Sequence, residues 1–248
     1  MGSIVSKHYW EKGYSETKPQ IHSQKNDVVR CWIEKHVPAT EAGQQKSAIE
    51  IGCYPGRYLS VLGDLGYIAN GIDFCKQVET LAASFKKSGY RVGEFWEEDF
   101  EKFQTERKFD VVASFGFIEH FYNFEDIVLK HAALVNRNGC LVLEVPNFYG
   151  AFQNFLHRNF DKENHSRHFI PAMNIELLAE SIDRIGFDIR YKGYFGPADF
   201  WTEHQERGLL QKLLLTAIYS LRPVFKKMLP ADRRMYSPFA GIVARKRS

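Results

Sequence analysis

The stretch from Ser47 to Tyr58 constrains the fold of this 248-residue chain more than any other part of the sequence. It reads Ser-Ala-Ile-Glu-Ile-Gly-Cys-Tyr-Pro-Gly-Arg-Tyr, and an acid, Asp73, follows 23 positions after Glu50. The pattern predicts an apolar strand, a glycine turn, a helix and a second strand that ends on the acid. Such a unit places backbone N–H groups and a carboxylate around one crevice, where a nucleoside can bind.

The rest of the chain continues the alternation of strands and helices. We predict strands over 48–52, 67–74, 91–95, 109–115, 140–145, 187–194 and 239–245. Helices are predicted over 26–36, 58–65, 78–88, 124–134 and 174–185. This alternation favours an α/β fold: a Rossmann-like, doubly wound, seven-stranded and mostly parallel sheet with helices on both faces. Ligands of such sheets bind at the carboxyl ends of the strands.

Two segments interrupt the alternation. Residues 150–171 are rich in His, Asn and Phe and are predicted to be irregular. Residues 196–234 contain an apolar, basic helical segment, which Pro223 is expected to kink or split. Its helix either packs on the domain with a wet basic face or docks on an anionic membrane or a phosphate-bearing substrate.

Composition excludes several protein classes. No run approaches the ~18 apolar residues of a membrane span, and no charged-then-apolar leader opens the chain. The four cysteines form no CxxC pair, so we expect a cytoplasmic protein without a metal site or a disulfide framework. From Leu209 onward nine Lys/Arg face one acid, Asp232. This surplus indicates either a solvated tail or contact with phosphates or the inner membrane face.

The first turn carries the residues that suggest a binding site. A side chain at Gly52 or Gly56 would crowd a ligand or the contact between helix and strand. The spacing is not G-x-G-x-x-G, which argues against a nicotinamide dinucleotide. Glu50 lies inside the strand and must pair or accept hydrogen bonds. Asp73 can accept from both hydroxyls of a ribose, or it can cap the next helix.

These residues resemble the first motif of class I S-adenosylmethionine (SAM)-dependent methyltransferases, in their small-molecule branch (types 11 and 23). In Glu50-Ile-Gly-Cys-Tyr-Pro-Gly56, Tyr54 stands where that branch usually has glycine. Further matching segments follow in order over roughly residues 47–195. They are Glu98-Asp99-Phe100, Phe109–His120, Leu134–Leu143 and His168-Phe-Ile-Pro171 with Gly186-Phe187.

The resemblance implies SAM as cofactor, S-adenosylhomocysteine (SAH) as product and an antiparallel last strand. Asp73 would bind the ribose, Asp99 the adenine amine, and Phe100 would cover the adenine ring. The implied cofactor-binding residues are Glu50, Gly52, Cys53, Tyr54, Gly56, Tyr58, Asp73, Phe74, Asp99, Phe100, Ser114, Phe115 and Gly116.

The resemblance also implies a division of one globular domain. Residues 1–46 would form an N-terminal helical lid, in which Tyr9 and Tyr14 either cover the donor or pack the first helix. Residues 47–195 and 235–248 would form the SAM-binding core, and 196–234 the insertion that shapes the acceptor region.

Histidines are the candidates for catalysis. An alcohol acceptor benefits from a base of near-neutral pKa, so His168 and His120 are the predicted catalytic residues. His165 is assigned to a surface loop.

The resemblance to the small-molecule branch of these methyltransferases implies a small-molecule acceptor, and a sugar, glycan or lipid-linked hydroxyl is preferred. N-methylation and SAM binding without turnover are the alternatives. No base-flipping signature follows strand four, so no nucleic-acid partner is expected, and the oligomeric state stays open.

Overall fold

The computed structural model describes residues 2–203 and 205–247, and its strands form one sheet. The strands are Ser47–Ile51 (β1), Ile68–Asp73 (β2), Val92–Glu97 (β3), Phe109–Phe115 (β4), Val135–Pro146 (β5), Phe187–Phe195 (β6) and Phe239–Lys246 (β7). Their order is β3-β2-β1-β4-β5-β7-β6. Strands β1 to β5 pair in parallel, and β7 runs antiparallel to both β5 and β6. The predicted fold, including its antiparallel last strand, is confirmed.

Helices cover both faces of this sheet. They are Lys7–Tyr14 (α1), Val28–His36 (α2), Leu59–Asp64 (α3), Val78–Lys87 (α4), Phe124–Ala133 (α5), Ala151–Phe160 (α6), Lys162–Ser166 (α7), Ile175–Arg184 (α8) and Leu209–Met228 (α9). Short 3₁₀ helices span Ile118–His120 and Ile170–Met173. None of the helices within 2–203 and 205–247 combines the length and apolar character that crossing a bilayer requires.

The alternation of side chains along β1 explains the two-sided core. Ile49 and Ile51 pack in one apolar cluster with side chains of α5 and α8. Ala48 points the other way, into a second cluster with side chains of α2, α3 and α4. Successive strand residues face opposite sides of a sheet, so a strand covered on both faces must be apolar at nearly every position. Glu50 is the one residue of β1 that is both buried and charged.

The prediction of an irregular segment over 150–171 is wrong, because α6 and α7 occupy most of it. The buried residues of α6 are Gln153, Leu156, His157 and Phe160, which recur at helical spacing. Half of them are polar, so a search for apolar periodicity misses this face. The apolar members of this face, Leu156 and Phe160, pack against Phe200 and Leu215, which follow α6 by about 40 residues or more in the sequence.

Two further boundaries differ from expectation. Strand β5 begins at Val135, before the predicted start at 140, and contains an irregularity where Asn138 adopts a φ of 62°. Helix α9 passes through Pro223 without splitting. Leu215 and Phe225, on either side of the proline, belong to one cluster with side chains of α6. This packing offsets the hydrogen bond that the proline removes.

Candidate functional site

A cavity of ≈ 370 Å³ opens at the carboxyl ends of β1, β2 and β4. It lies where the order of the parallel strands reverses, between β1 and β4. The connection that leaves β1 leads to a strand on one side of this point, and the connection that leaves β4 leads to a strand on the other side. The loops after β1 and β4 therefore diverge and leave a crevice between them. The volume falls within the range of small-molecule sites.

The glycine turn after β1 forms one wall of the cavity. Gly52 adopts a φ of +73°, and a Cβ there would lie 2.7 Å from the ring of Phe117. Gly56 adopts a φ of +96°, and its Cβ would lie 2.5 Å from Leu81 of α4. Both positions therefore need glycine, for conformation and for space. Backbone is thus exposed to the cavity along the turn.

Asp73 is held at the cavity by the same turn. One carboxylate oxygen accepts from the Tyr54 N–H and the other from the Cys75 N–H, each at 3.1 Å. Burial raises the pKa of Asp73, and these N–H groups oppose that rise. Each carboxylate oxygen can accept a second hydrogen bond. Asp73 therefore both braces the turn and can bind hydroxyl groups.

Glu50 is the second buried acid of the cavity wall. It is only 4% exposed, and no donor among the described residues reaches its Oε2. Burial raises its pKa well above the usual value, against the effect of the Leu59 N–H. A buried polar atom without a partner at a cavity is a group that a ligand can satisfy.

Aromatic rings line the cavity opposite the acids. Phe74, Phe100 and Phe117 contribute from the loops after β2, β3 and β4. Phe100 and Phe117 meet edge to face, with 5.9 Å between ring centroids. Next to Phe100, Asp99 accepts from the Glu101 N–H at 3.0 Å. The combination offers apolar contact to a flat ring and one carboxylate at its edge.

Helix α1, which we did not predict, covers the cavity through Lys7, Trp10 and Tyr14. Tyr14 meets Tyr54 edge to face at 5.1 Å, and the Tyr54 hydroxyl donates to the Thr17 carbonyl. The tyrosine that replaces the usual glycine thus connects the turn to the N-terminal segment. Trp10 and Tyr14 are four residues apart, a spacing that signals one helical face.

His120 lines the cavity and lies against His168. The rings of His120 and His168 are 4.7 Å apart, and Trp10 meets His120 at 5.0 Å. Both Nδ1 atoms face backbone carbonyls, those of Arg167 at 2.9 Å and Asn164 at 2.6 Å. A carbonyl only accepts, so Nδ1 carries the proton and Nε2 keeps its lone pair.

Burial keeps both imidazoles neutral. Desolvation lowers the pKa of His120 to about 4. Desolvation, with His120 as a second cause, lowers the pKa of His168 to about 3. Both values lie well below the near-neutral pKa that favours a catalytic base, so the two Nε2 atoms are unprotonated and only weakly basic at neutral pH, and their lone pairs are free to bind a metal ion.

Most of the predicted cofactor residues line this cavity. They are Glu50, Gly52, Cys53, Tyr54, Gly56, Tyr58, Asp73, Phe74, Asp99, Phe100, Phe115 and Gly116. His120 lines it as well, whereas His168 lies behind His120 and Ser114 is fully buried in β4. His165 is half-buried in α7, not in a surface loop, and its ring lies parallel to Phe148.

Sequence reasoning overlooked a buried pair in the same region. His157 Nδ1 donates to Asp161 at 2.8 Å, and His157 stacks on Phe148 at 3.8 Å. The four-residue spacing of His157 and Asp161 was a usable signal, but only if α6 had been predicted.

Comparison with known proteins agrees with this architecture. A family model described as a methyltransferase domain matches residues 27–192. The ubiquinone biosynthesis O-methyltransferase of Rickettsia felis is 25% identical over 100 residues, which is 40% of this chain and 41% of that protein. The chain thus matches less than half the length of this curated relative.

Solved structures show the same fold. A SAM-dependent methyltransferase from Archaeoglobus fulgidus superposes with a TM-score of 0.58 at 15% identity, over 98% of this chain and 100% of that one. A SAM-dependent methyltransferase from Thiobacillus denitrificans, in complex with SAH, gives 0.57 at 14% identity, over 98% and 99%. The family match spans more than half of the sequence, and the chain therefore belongs to the methyltransferase-domain family.

Proposed function

We propose that the chain is a SAM-dependent methyltransferase that transfers a methyl group to a hydroxyl of a small molecule. One observation carries the proposal: the glycine turn, Asp73 and His120 line a single cavity. The fold shared with the SAH complex from Thiobacillus denitrificans supports SAM as the donor.

The residues present fit the cofactor. Asp73 has acceptor capacity for the ribose hydroxyls, and Asp99 and Phe100 offer an edge acceptor and a ring contact for adenine. Glu50, whose Oε2 lacks a donor among the described residues, would accept from the polar amino-acid end of the cofactor. When bound, SAM supplies an electrophilic methyl group on a sulfonium.

The chain itself would align the acceptor and exclude water. Residues 1–46 act in this proposal as a lid, because Trp10 and Tyr14 of α1 face the cavity. Shielding from solvent strengthens polar interactions in the site and favours in-line alignment. The neutral Nε2 of His120, which lines the cavity, would contact the acceptor hydroxyl, and His168 would act beside it through its contact with the His120 ring.

The nature of the acceptor is proposed from α9. Its outward face exposes a continuous apolar stripe of Leu209, Leu210, Leu213, Leu214, Leu221, Val224 and Met228. The other face packs on α6 through Leu215. Exposed Lys212 and Lys227 lie on the same helix, and Arg233 and Arg234 follow it.

An apolar stripe beside basic residues suits an anionic lipid surface. We therefore propose that α9 docks on such a surface and that the acceptor is a lipid-linked or sugar hydroxyl, with N-methylation the alternative.

The first test is calorimetric titration with SAM and SAH. We expect Kd values near micromolar, or about −8 kcal/mol. Asp73→Asn keeps the size of the side chain but cannot bind both hydroxyls as an acceptor, so SAH affinity should fall at least tenfold. Asp126→Asn, at an exposed position of α5, is the matched control and should bind as the wild type does.

Failure of the folded protein to bind either ligand would contradict the proposal. Incubation with methyl-labelled SAM and sugar, lipid-linked and amine acceptors then distinguishes O- from N-methylation. Cofactor binding without transfer to any acceptor class would instead support a binding module without turnover.

A further inference from the structure

Three potential metal ligands meet beside the cavity. One ligand atom each from Glu119, His120 and His168 lies within 4.8 Å of the others. Glu119 is 1% exposed and His120 is 7% exposed, so water cannot easily solvate this group. Glu119 Oε1 lies 3.9 Å from His120 Nε2, which is too far for a hydrogen bond.

All three groups present lone pairs to the same space. Both imidazoles donate through Nδ1 to backbone carbonyls, which leaves each Nε2 without a proton. No donor from the described residues reaches Glu119 Oε2. Two buried acceptors and a half-buried third, without a shared donor among the described residues, are costly unless a cation or a proton lies between them.

The backbone holds the three groups in place before any ion binds. The Glu119 carbonyl accepts from the Phe169 N–H at 2.7 Å, and the carbonyl of Arg167 accepts from His120. These two bonds join the segment after β4 to the segment after α7. Metal-binding histidines usually donate their second nitrogen to a carbonyl or carboxylate in this way, since the bond sets the tautomer and the ring orientation.

We propose that Glu119, His120 and His168 bind one divalent first-row transition metal ion, such as Zn²⁺. Two imidazoles and one carboxylate suit these ions, and three protein ligands leave a position open toward the cavity that His120 lines. Ligands about 2.1 Å from a common ion lie roughly 3 to 4 Å apart. Starting from separations of up to 4.8 Å, the ligand atoms therefore need to approach one another by at most about 1 to 2 Å.

Such an ion deepens the proposed transfer to a hydroxyl, and this step rests on that function. With both Nε2 atoms bound to the ion, His120 and His168 would act on the hydroxyl through the ion and not as bases. The ion would polarise the acceptor oxygen and lower the pKa of its hydroxyl. The hydroxyl proton then passes to solvent water, the oxygen forms the new bond to the methyl carbon, and the donor sulfur keeps the electrons of the broken C–S bond.

The test is direct titration of the tag-free protein with Zn²⁺, and with Co²⁺ followed by visible absorption. We expect one equivalent of either ion to bind and Co²⁺ to show ligand-field bands of a nitrogen-containing site. His168→Ala should weaken Zn²⁺ binding at least 100-fold, and Glu119→Gln at least tenfold. His165→Ala, half-buried in α7 beside the site, is the control and should bind Zn²⁺ within twofold of the wild type.

Circular dichroism verifies that each variant is folded, and His168→Asn replaces His168→Ala if the latter is not. Absence of stoichiometric binding by the wild type, or equal binding by a folded His168 variant, overturns the proposal. SAH titration of the same samples separates the two proposals. SAH binding without metal binding refutes the metal site alone, whereas metal binding without SAH binding refutes the methyltransferase proposal.

Discussion

The two regions that we propose as the donor and acceptor ends of the cavity are built in different ways. The donor end comprises Asp73, the last residue of β2, and the glycine turn that begins at Gly52, directly after β1. Strands β1 and β2 are adjacent and parallel. The acceptor end brings together Trp10, His120 and His168, which belong to three segments that lie far apart in the sequence. The first end uses backbone groups of a local unit, and the second uses side chains positioned by long-range packing. We infer that the donor end is common to the fold and that the acceptor end sets specificity.

The largest expected effect tests the local nature of the donor end. Gly52→Ala places a Cβ 2.7 Å from Phe117 at a φ of +73°, so we expect SAH affinity to fall at least 100-fold. Gly43→Ala is a close control, because Gly43 has a φ of +86° with nothing within 4 Å of its Cβ. Both variants strain the backbone by about 1 kcal/mol. Calorimetry that finds equal SAH affinity for the two would refute the close-approach role of Gly52.

A second prediction concerns the exposed face of α9, which we propose to dock on lipid. Leu210→Gln with Leu213→Gln removes two exposed apolar side chains from α9. Each contributes up to about 1.5 kcal/mol to binding a lipid surface, so vesicle affinity should fall more than tenfold. Leu129→Gln on α5, an exposed leucine elsewhere, should have no effect.

The measurement is co-sedimentation with phosphatidylglycerol vesicles and with neutral phosphatidylcholine vesicles. Binding by the wild type should weaken with added salt, because exposed charges are screened. Equal sedimentation of wild type and double variant would exclude α9 as the docking element.

A smaller effect is expected where the two ends are connected. Tyr54→Phe removes the hydrogen bond to the Thr17 carbonyl, which connects the glycine turn to the lid. The loss of about 1 kcal/mol should weaken SAH binding roughly fivefold. Tyr67→Phe removes a comparable bond, to the Pro38 carbonyl at 2.7 Å, away from the cavity. That control should change thermal stability but leave SAH affinity unaltered, and the reverse pattern would contradict a role of Tyr54 in the lid.

The smallest predicted effect concerns how α9 is attached. Burial raises the pKa of Asp199, but ion pairs with Arg222 and Lys226 outweigh this and lower it. A carboxyl whose pKa is depressed in the folded state stabilises the fold above its unfolded pKa of about 4, and this contribution is lost as pH falls through the lower folded value.

Asp199→Asn should therefore reduce stability by at most about 1 kcal/mol at neutral pH, because the cations are partly exposed. The difference from wild type should begin to shrink at about pH 4 and vanish only below the depressed pKa of the folded state. Urea unfolding at several pH values measures it. A difference that persists unchanged in acid would show that the ion pairs are not its cause.

Sequence reasoning succeeded where structure is local. The strand–turn–acid pattern around Gly52 and Asp73 predicted the cavity wall correctly, because strand, turn and next strand are contiguous. The apolar run of β4 predicted a strand covered on both faces. Helix α1 and helix α6 were missed, since α1 has no buried residue and the buried face of α6 is half polar.

The amino-acid order alone determined the doubly wound sheet, the glycine turn and the acid that faces it, because hydrophobic periodicity and turn chemistry act over a few residues. Only the tertiary structure decided that Trp10 covers His120, that His168 lies 4.7 Å from it, and that a buried Glu119 oxygen has no hydrogen-bond partner within 2–203 and 205–247. Those arrangements depend on packing and hydrogen bonds between distant segments, whose partners no local pattern specifies.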